Sequence, residues 1–343
     1  MTLRILIIAD DLTGALDSAV AFAGAGRRVV VVRTPGDVAV EGQGACVLAV
    51  NTGSRDRDVT DAAARVRQAL ATLDPAAFAV VLKKVDSRLK GHIAAESQVV
   101  RDWMGAAQVI ACPAIPQMGR VVRNGLLQGT GVATPVQVAD ICGAGTLAPN
   151  AVSDADLDAI VTDADERTLW VGARGLAFAL ARYAGITQGD AADVAAPVMI
   201  ANGSRDPITL AQVAGTRGSA FFVAAPDGSA SGDARTDGPL VLSMTDGGGG
   251  LTGAQAAAAF AATTVAVARR MRPATLLLCG GESADATLDR LGVRSLHVMA
   301  EVRPGLPLCL IDTDWGRVRI VTKSGGFGAA GLLAEILGTA GRT

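Results

Sequence analysis

The feature that most constrains the fold is the alternation of short apolar runs with helical patterns through the first 130 residues. Residues 3–9 form a mainly apolar run, and such a run is typical of a strand covered on both faces. Strands that alternate with helices predict a parallel sheet with helices on both sides. The predicted strands are 3–9, 28–32, 46–50, 78–83, 108–112 and 168–171, and the predicted helices are 15–25, 58–73, 93–103 and 176–183.

A second alternating unit begins at Pro197, after residues 186–196, whose small and acidic side chains are typical of a linker. We therefore expect an α/β protein of two domains, 1–195 and 196–343, each a mostly parallel sheet flanked by helices. In the second unit the predicted strands are 198–201, 220–224, 240–244, 276–279, 296–300, 308–312 and 317–322, and the predicted helices are 207–214, 252–271 and 328–337.

Composition excludes several classes of protein. Half of the 343 residues are hydrophobic and the net charge is −2, which argues against disorder. A pI near 5.8 and 3% aromatic residues argue against a nucleic-acid partner. No apolar run approaches the ~18 residues of a membrane span, so we expect a cytoplasmic protein without a membrane partner. Five dispersed cysteines and two histidines disfavour structural zinc and a disulfide framework.

Two acidic residues, Asp10 and Asp11, follow the first predicted strand, and Thr13 and Gly14 follow them. Ligands bind at the carboxyl ends of strands in open parallel sheets. Adjacent charges at the tip of an apolar strand are costly unless they bind something. The pattern therefore favours a binding site, and the alternative is a capped turn with a solvated acidic pair.

A cationic segment, residues 83–92, follows another buried strand. It surrounds Asp86 with basic groups, which suits a carboxylate or phosphate ligand, although a surface charge cluster has the same appearance. Three of the four lysines in the chain lie here and the fourth is Lys323, which indicates either coding bias toward arginine or lysine kept for function. His92 is interpreted as the start of a helix. Arg120, in the loop after the next strand, could hold a carboxylate.

Three glycine turns of the second unit lie between a strand and a helix, at residues 203–206, 280–283 and 322–328. Free N–H groups at such turns bind phosphate. The spacing of Gly326, Gly328 and Gly331 formally fits a dinucleotide fingerprint, but too little chain follows it. No GxxxxGK[ST] is present. Together the turns predict a nucleoside triphosphate site of another design, whereas each alone is also typical of a plain helix start.

These segments together resemble the four-carbon acid sugar kinase family. Nine motifs occur in the family's order along nearly the whole chain: ADDLTGALD (9–17), NTGSR (51–55), KKVDSRLKGHIAAE (83–96), PAIPQMGR (113–120), GARGLAFALAR (172–182), NGSRDPIT (202–209), GGESAD (280–285), EVRPGLP (301–307) and TKSGGFG (322–328).

The resemblance implies an N-terminal acid-sugar-binding domain, a C-terminal ATP-binding domain and ATP-dependent phosphorylation of a terminal hydroxyl on erythronate, threonate or a 3-oxo-tetronate. The implied cofactors are ATP and Mg²⁺, with no metal ligand assigned. The substrate-side candidates carried over are Asp10, Asp11, Thr13, Asp17, Lys84, Asp86, Ser87, Arg88 and Arg120. The ATP-side candidates are Ser204, Gly280, Gly281, Glu282, Ser283, Gly325, Gly326, Phe327 and Gly328.

The mechanism predicted from these residues uses Asp11 or Asp86 to accept the hydroxyl proton, with Lys323 adding positive charge at the ATP phosphates. The chain departs from the family pattern at Arg88, Lys90, Arg174 and Asp206, and these changes bear on substrate identity. Two other functions stay open, a non-catalytic sugar-acid-binding protein and a nicotinamide-dependent oxidoreductase. The sequence specifies neither the stereoisomer nor whether the protein is a homodimer.

Overall fold

The structure is a computed structural model that describes residues 4–24, 26–165, 167–230 and 238–339. The chain divides into two compact units, Met1–Gly189 and Asp190–Thr343. Both units are α/β, with helices flanking a sheet that is wholly parallel in the first and mostly parallel in the second. The predicted fold class is confirmed. The assignment of residues 1–195 and 196–343 to sugar-acid binding and ATP binding stays a prediction.

The main sheet of the first unit is parallel because helices connect its strands. The described strands of this unit are β1 (Ile5–Ala9), β2 (Val29–Val32), β3 (Val47–Asn51), β4 (Val80–Lys84), β5 (Gln108–Cys112), β6 (Arg120–Arg123), β7 (Leu126–Gly129), β8 (Val136–Gln137), β9 (Thr146–Leu147) and β10 (Thr168–Gly172). The sheet order is β2-β3-β1-β4-β10-β5-β9. Every residue of β1 and β2 is buried, as expected for strands covered on both faces.

The helices of the first unit flank this sheet. They are α1 (Leu12–Ala19), α2 (Val38–Glu41), α3 (Val59–Leu70), α4 (Ile93–Met104), α5 (Val138–Cys142), α6 (Asp154–Thr162) and α7 (Arg174–Tyr183). The predicted helix 15–25 in fact begins at Leu12, because the Asp11 side chain caps it, and Ala25 lies outside the described residues. A 3-10 turn, Val20–Phe22, follows it.

The segment from residue 120 to residue 162 is more regular than the sequence suggested. Strands β6, β7 and β8 form a small antiparallel sheet, and α6 follows it. Ser153 and Asp156 make a capping box at the start of α6, a signal that is readable from sequence. The β-hairpin was missed because its strands are short and their polar and apolar residues do not alternate cleanly.

The second unit combines parallel strands with an antiparallel meander. Its described strands are β11 (Val198–Asn202), β12 (Phe221–Pro226), β13 (Leu240–Thr245), β14 (Thr275–Cys279), β15 (Ser295–Arg303), β16 (Leu306–Thr313) and β17 (Gly316–Lys323), in the order β12-β13-β11-β14-β17-β16-β15. The pairings from β12 to β17 are parallel, and β15, β16 and β17 pair antiparallel. The helices are α8 (Pro207–Ala214), α9 (Gly253–Met271), α10 (Gly281–Arg290) and α11 (Leu332–Thr339).

The strand directions determine where polar groups collect. In each unit the parallel strands end at the same edge of the sheet, so the segments that follow them meet there. In the first unit these are the segments after β1, β3, β4 and β10. In the second they follow β11, β13, β14 and β17. The predicted last helix, 328–337, instead begins at Leu332, because a glycine loop occupies the positions before it.

The first unit's core gives a direct stability test. Leu48 in β3 is 1% exposed, whereas Leu147 in the edge strand β9 is 53% exposed. Leu48→Ala should lower the free energy of unfolding by about 2–5 kcal/mol because it leaves a cavity. Leu147→Ala, the same chemical change, should cost less than about 0.5 kcal/mol. Urea unfolding followed by tryptophan fluorescence measures both, and equal losses would contradict the buried position of β3.

Candidate active site

Two carboxylates and one guanidinium form the centre of the first unit's site. Arg55 follows β3 and donates to Asp10 from Nε (2.9 Å) and Nη2 (2.8 Å). It also donates to Asp11 from Nη1 (3.0 Å) and Nη2 (2.9 Å). Strands β1 and β3 are hydrogen-bonded neighbours, so the segments after them are brought side by side. One arginine therefore holds both aspartates that end β1.

The charges of this cluster shift each other's pKa. Burial alone would raise the pKa of Asp10, but Lys83, Arg55 and Lys84 together hold it below its ordinary value of 3.8. Burial would lower the pKa of Arg55, but Asp11, Asp10 and then Asp86 raise it overall. Both groups are therefore ionised at neutral pH. Asp10, which is 2% exposed, is a buried anion kept charged by surrounding cations.

Asp11 is also the cap of α1. Its Oδ1 accepts from the Gly14 N–H (3.0 Å), and its Oδ2 accepts from the Thr13 hydroxyl (2.7 Å). A side chain at Gly14 would collide with the Asp11 carboxylate and would lie 2.9 Å from Lys84 Nζ. Glycine is required there because the carboxylate and the ammonium converge on the same space. Asp10, Asp11, Thr13 and Lys84 are thus brought together, and their contact with a substrate stays a prediction.

The two lysines that end β4 point to opposite faces of the strand. Lys83 Nζ lies 2.7 Å from Glu96 Oε2 on α4, and neither side chain is more than 1% exposed. Lys84 Nζ donates to the Val85 carbonyl (2.7 Å). Lys83 is therefore an internal cation whose charge reaches Asp10 through the protein interior, whereas Lys84 lies on the side of the α1 cap.

A second group of polar side chains follows β4. The Asp86 carboxylate accepts from the Arg88 N–H (2.8 Å), and Ser87 Oγ accepts from Arg120 Nη1 (2.5 Å). Arg120 also donates to the Thr130 carbonyl from Nε (3.0 Å) and Nη2 (2.9 Å). Asp86 and Ser87 are half-buried, Arg88 is exposed and Arg120 is buried. These contacts fix the orientation of the Arg120 guanidinium.

Asp17 and His92 have other partners. The Asp17 carboxylate accepts from Arg174 Nη1 (2.7 Å), and the Arg174 guanidinium lies 4.0 Å from the centre of the Phe178 ring. This pair joins α1 to α7, so contact of Asp17 with a substrate stays a prediction. The His92 ring is hydrogen-bonded to the Arg57 carbonyl (2.5 Å), at the position that begins α4.

Glycine turns meet at the edge of the second unit's sheet. The Gly203 N–H donates to the Cys279 carbonyl (2.9 Å), and the Gly280 N–H donates to the Lys323 carbonyl (3.1 Å). Gly280 has a φ of +98°, and a side chain there would lie 3.0 Å from Ser283 Oγ and 3.1 Å from the Ser204 nitrogen. Only glycine fits this approach. The three turns predicted from sequence are thus neighbours in space.

The other ATP-side candidates differ in exposure. Gly281 and Glu282 begin α10, and Glu282 is exposed. Gly326 and Gly328 are exposed, and Gly325 is half-buried. The Phe327 ring packs against the Gly305 backbone. Lys323, the predicted source of charge at the phosphates, is fully buried.

The described contacts of Lys323 lie inside the protein, and its predicted role at the ATP phosphates stays a prediction. Its ammonium donates to the Thr209 hydroxyl (2.8 Å) and to the carbonyls of Ser324 (3.2 Å) and Gly325 (3.3 Å). Burial lowers the pKa of Lys323. The three acceptors match the three N–H groups of a lysine ammonium, and all three lie inside the protein.

Sequence reasoning missed the role of Arg55. It belongs to the NTGSR motif at residues 51–55, which follows β3. Its position after a buried strand was the same signal that identified Asp10 and Asp86. Pairing could not be read from the sequence because 44 positions separate Arg55 from Asp11, and only the neighbouring positions of β1 and β3 bring them together.

The sequence was compared with domain families and with curated proteins. Residues 5–138 match a family described as a sugar-binding N-terminal domain, and residues 241–333 match a nucleotide-binding C-terminal domain. A D-threonate kinase of Bordetella bronchiseptica is 30% identical, over 95% of this chain and 95% of that protein. The chain belongs to the four-carbon acid sugar kinase family.

Other relatives carry names from the same group. A D-threonate kinase of Cupriavidus necator is 29% identical over 96% of both chains. A 3-oxo-tetronate kinase of Pseudomonas fluorescens is 25% identical, also over 96% of both chains. The predicted membership of this family is therefore confirmed, and the match to a nucleotide-binding domain covers two of the three predicted phosphate turns, at residues 280–283 and 322–328.

Two solved structures of other proteins have the same fold as this chain. A protein of Salmonella typhimurium LT2 superposes with a TM-score of 0.78 and 18% identity, over 96% of this chain and 98% of that one. A Haemophilus influenzae protein superposes with a TM-score of 0.72 and 19% identity, over 98% and 100%. Across the described ranges, no helix has the length and apolar character that crossing a membrane requires.

Because Asp10 is buried and ionised, we expect the protein to lose stability at acidic pH. Its pKa is lowered from 3.8 in the folded protein, so ionised Asp10 stabilises the fold fully above pH 3.8 and stops doing so as pH falls through the lower folded pKa. Asp10→Asn should cost roughly 2 kcal/mol at pH 7, and this difference from the wild type should shrink below pH 3.8.

The matched control is Asp312→Asn, since the Asp312 side chain is 77% exposed. Urea unfolding at a series of pH values measures all three proteins. We expect the control to follow the wild type throughout. A constant gap between Asp10→Asn and the wild type down to pH 2 would contradict an ionised, cation-stabilised Asp10.

Proposed function

We propose that the protein is an ATP-dependent kinase that phosphorylates the terminal hydroxyl of a four-carbon sugar acid. The observation that carries this proposal is the group of side chains after β4. Half-buried Asp86 precedes Ser87, which accepts from the buried Arg120, and the Asp86 charge acts on that guanidinium. A hydroxy acid offers a carboxylate and a hydroxyl, which require a fixed cation and a proton acceptor. Both are present in one short stretch of the first unit.

The substrate carboxylate is assigned to the cations after β4. Arg120 is held by Thr130 and Ser87, and burial, followed by repulsion from Arg88, lowers its pKa. Two guanidinium groups that repel each other favour an anion between or beside them. Arg88 and Lys90 are exposed and add positive charge at the entrance. Together they support binding of a small carboxylate.

Asp86 is the better candidate for the proton acceptor. Both Asp11 oxygens are already engaged, by Arg55, Thr13 and the Gly14 N–H. Asp86 accepts from one backbone N–H through Oδ1 and is half-buried. A general base must reach the proton of the attacking hydroxyl, and a carboxylate tied on both oxygens cannot do so without losing its partners. Asp10 and Asp11 are proposed to position the substrate through Arg55.

ATP is assigned to the second unit. We assign the phosphates to the Ser204 hydroxyl, to the N–H groups of Gly281, Glu282 and Ser283 at the start of α10, and to those of Gly325, Gly326 and Gly328, since such groups suit phosphate oxygens. In the described ranges no three His, Cys, Asp or Glu side chains form a metal site. This fits Mg²⁺ that arrives on the ATP phosphates, since Mg²⁺ usually binds through phosphates, waters and one or two carboxylates. Exposed Glu282 and half-buried Asp206 are the carboxylates described at these turns. The ion supplies neutralisation of phosphate charge.

The relatives narrow the substrate class to tetronates. Curated proteins similar to this chain are named D-threonate, 3-oxo-tetronate and D-erythronate kinases. A panel of D- and L-threonate, D- and L-erythronate and 3-oxo-tetronates with MgATP, read out by ADP release, tests the proposal. Turnover of at least one tetronate above the ATP-only rate supports it. Tetronate binding by calorimetry without ADP release from any acid would identify a sugar-acid-binding protein instead.

Replacing the proposed base gives a sharper test. Asp86→Asn keeps the size and the Arg88 contact but removes proton acceptance, so kcat should fall by about 10²-fold or more. Binding of ATP by calorimetry should stay at the wild-type level, because the change lies in the other unit. Asp74→Asn is the matched control, as Asp74 is exposed and precedes β4 at the opposite edge of the sheet. Wild-type kcat in Asp86→Asn would exclude Asp86 as the base.

A further inference from the structure

Helix α8 buries two polar side chains beside the apolar Val213, and it exposes two large apolar side chains. Thr209 and Gln212 are 0% exposed, whereas Ile208 is 42% and Leu210 is 44% exposed. A helix chosen only for stability would turn Ile208 and Leu210 inward, since burying such a side chain stabilises a protein by roughly 1.5–3 kcal/mol. Burial of Thr209 and Gln212 in place of Ile208 and Leu210 therefore needs a compensating role for the buried hydroxyl and amide.

The buried polar side chains of α8 donate hydrogen bonds to the backbone of one surface loop, residues 324–329. The Thr209 hydroxyl donates to the Gly325 carbonyl (2.7 Å). Gln212 Nε2 lies within hydrogen-bond distance of three consecutive carbonyls, those of Phe327 (3.1 Å), Gly328 (3.0 Å) and Ala329 (2.8 Å). The described donations of these two side chains thus all go to backbone oxygens of the same loop.

Lys323 completes this arrangement. Its ammonium joins the Thr209 oxygen to the carbonyls of Ser324 and Gly325. We call Thr209, Gln212 and Lys323 the loop brace. Together they contact the carbonyls of five of the six residues from 324 to 329, and the sixth carbonyl belongs to exposed Gly326.

The brace fixes the direction of the loop's N–H groups. In a planar trans peptide the N–H points opposite to the preceding C=O. Carbonyls drawn inward at Ser324, Gly325 and Phe327 therefore turn the N–H groups of Gly325, Gly326 and Gly328 outward. Gly326 and Gly328 are exposed, so their N–H groups face solvent. Outward N–H groups in consecutive glycine positions form a concave anion-binding surface.

The orientation of the Gln212 amide lowers the stability of the protein. Only its NH₂ can face three carbonyl oxygens, and its Oε1 is left buried without a hydrogen-bond partner in the described structure. A buried acceptor without a partner costs about 1–3 kcal/mol. Stability alone would favour leucine or methionine at this position. The cost is explained if holding the loop serves ligand binding.

We propose that the loop brace positions residues 324–329 as the cradle for the ATP phosphates, and that Lys323 is a positioning residue rather than a phosphate ligand. The proposal rests on the proposed function, because it takes the ligand of this loop to be ATP. It names Thr209 and Gln212 as determinants of nucleotide affinity, although neither would touch the nucleotide. Their effect passes through the direction of backbone N–H groups.

The test uses a matched series at Thr209. Thr209→Val removes only the hydroxyl, and Thr209→Ser keeps it. Thr216→Val is the control, because the Thr216 hydroxyl is also buried and donates to a carbonyl outside the loop, that of Val213 (2.6 Å). Steady-state kinetics with the most active tetronate, ATP calorimetry and thermal unfolding are measured on the full chain.

We expect Thr209→Val to raise the KM for ATP and the Kd for ATP about tenfold, with kcat at saturating ATP and the KM for the tetronate changing less than about twofold. Thr209→Ser should restore ATP affinity, and Thr216→Val should match the wild type. Equal ATP affinity in Thr209→Val and Thr216→Val would overturn the proposal. If Thr209→Val does not fold, Gln212→Met provides the same comparison.

A double-mutant cycle separates a positioning role of Lys323 from direct phosphate contact. If Lys323 acts through the loop, Lys323→Met and Thr209→Val share one effect, so the double variant loses little more ATP affinity than either single variant. If instead the losses of ATP affinity add up and kcat falls only in Lys323→Met, Lys323 contacts the phosphates directly. That result would overturn its assignment as a positioning residue. A wild type that releases no ADP and does not bind ATP would instead refute the proposed function.

Discussion

Burial of both faces of the parallel strands is the constraint on which the rest of the structure depends. Strands such as β1 and β2 have no exposed residue, so charged groups are excluded from them except at their ends. The parallel direction then gathers those ends at one edge of each sheet. Asp10, Arg55 and Asp86 meet because the fold leaves that edge as the place where polar side chains can collect.

The buried lysines of this chain lie at such strand ends. Lys83 and Lys84 end β4 and Lys323 ends β17, and all three are buried. Lys83 is compensated by Glu96, and Lys323 by a hydroxyl and two carbonyls. A compact ammonium needs three acceptors, whereas a planar guanidinium brings five donors in a fixed fork. The chain has 27 arginines and four lysines, and this geometry gives a physical reason for lysine at these three buried positions.

Different groups carry the charge at the sheet edges of the two units. In the first, ionised side chains compensate each other, as in the contacts of Arg55 with Asp10 and Asp11. In the second, backbone N–H groups of glycine turns carry the partial positive charge, and the side chains act from behind, as Thr209 does on Gly325. The first arrangement suits a small carboxylate that must be oriented. The second suits phosphate groups, which several N–H groups can hold at once.

The sequence by itself determined the α/β class, most strand positions and the segments that carry the site, because strand burial and turn chemistry are local and leave a readable pattern. It also placed Asp10, Asp86 and the glycine turns at strand ends. Only the tertiary structure decided which of these groups pair. Arg55 reaches Asp11 across 44 positions, Asp17 joins Arg174 rather than the cluster, and Lys323 turns inward to Thr209. Such pairings depend on strand order and on the direction of each side chain, which no local pattern of residues specifies.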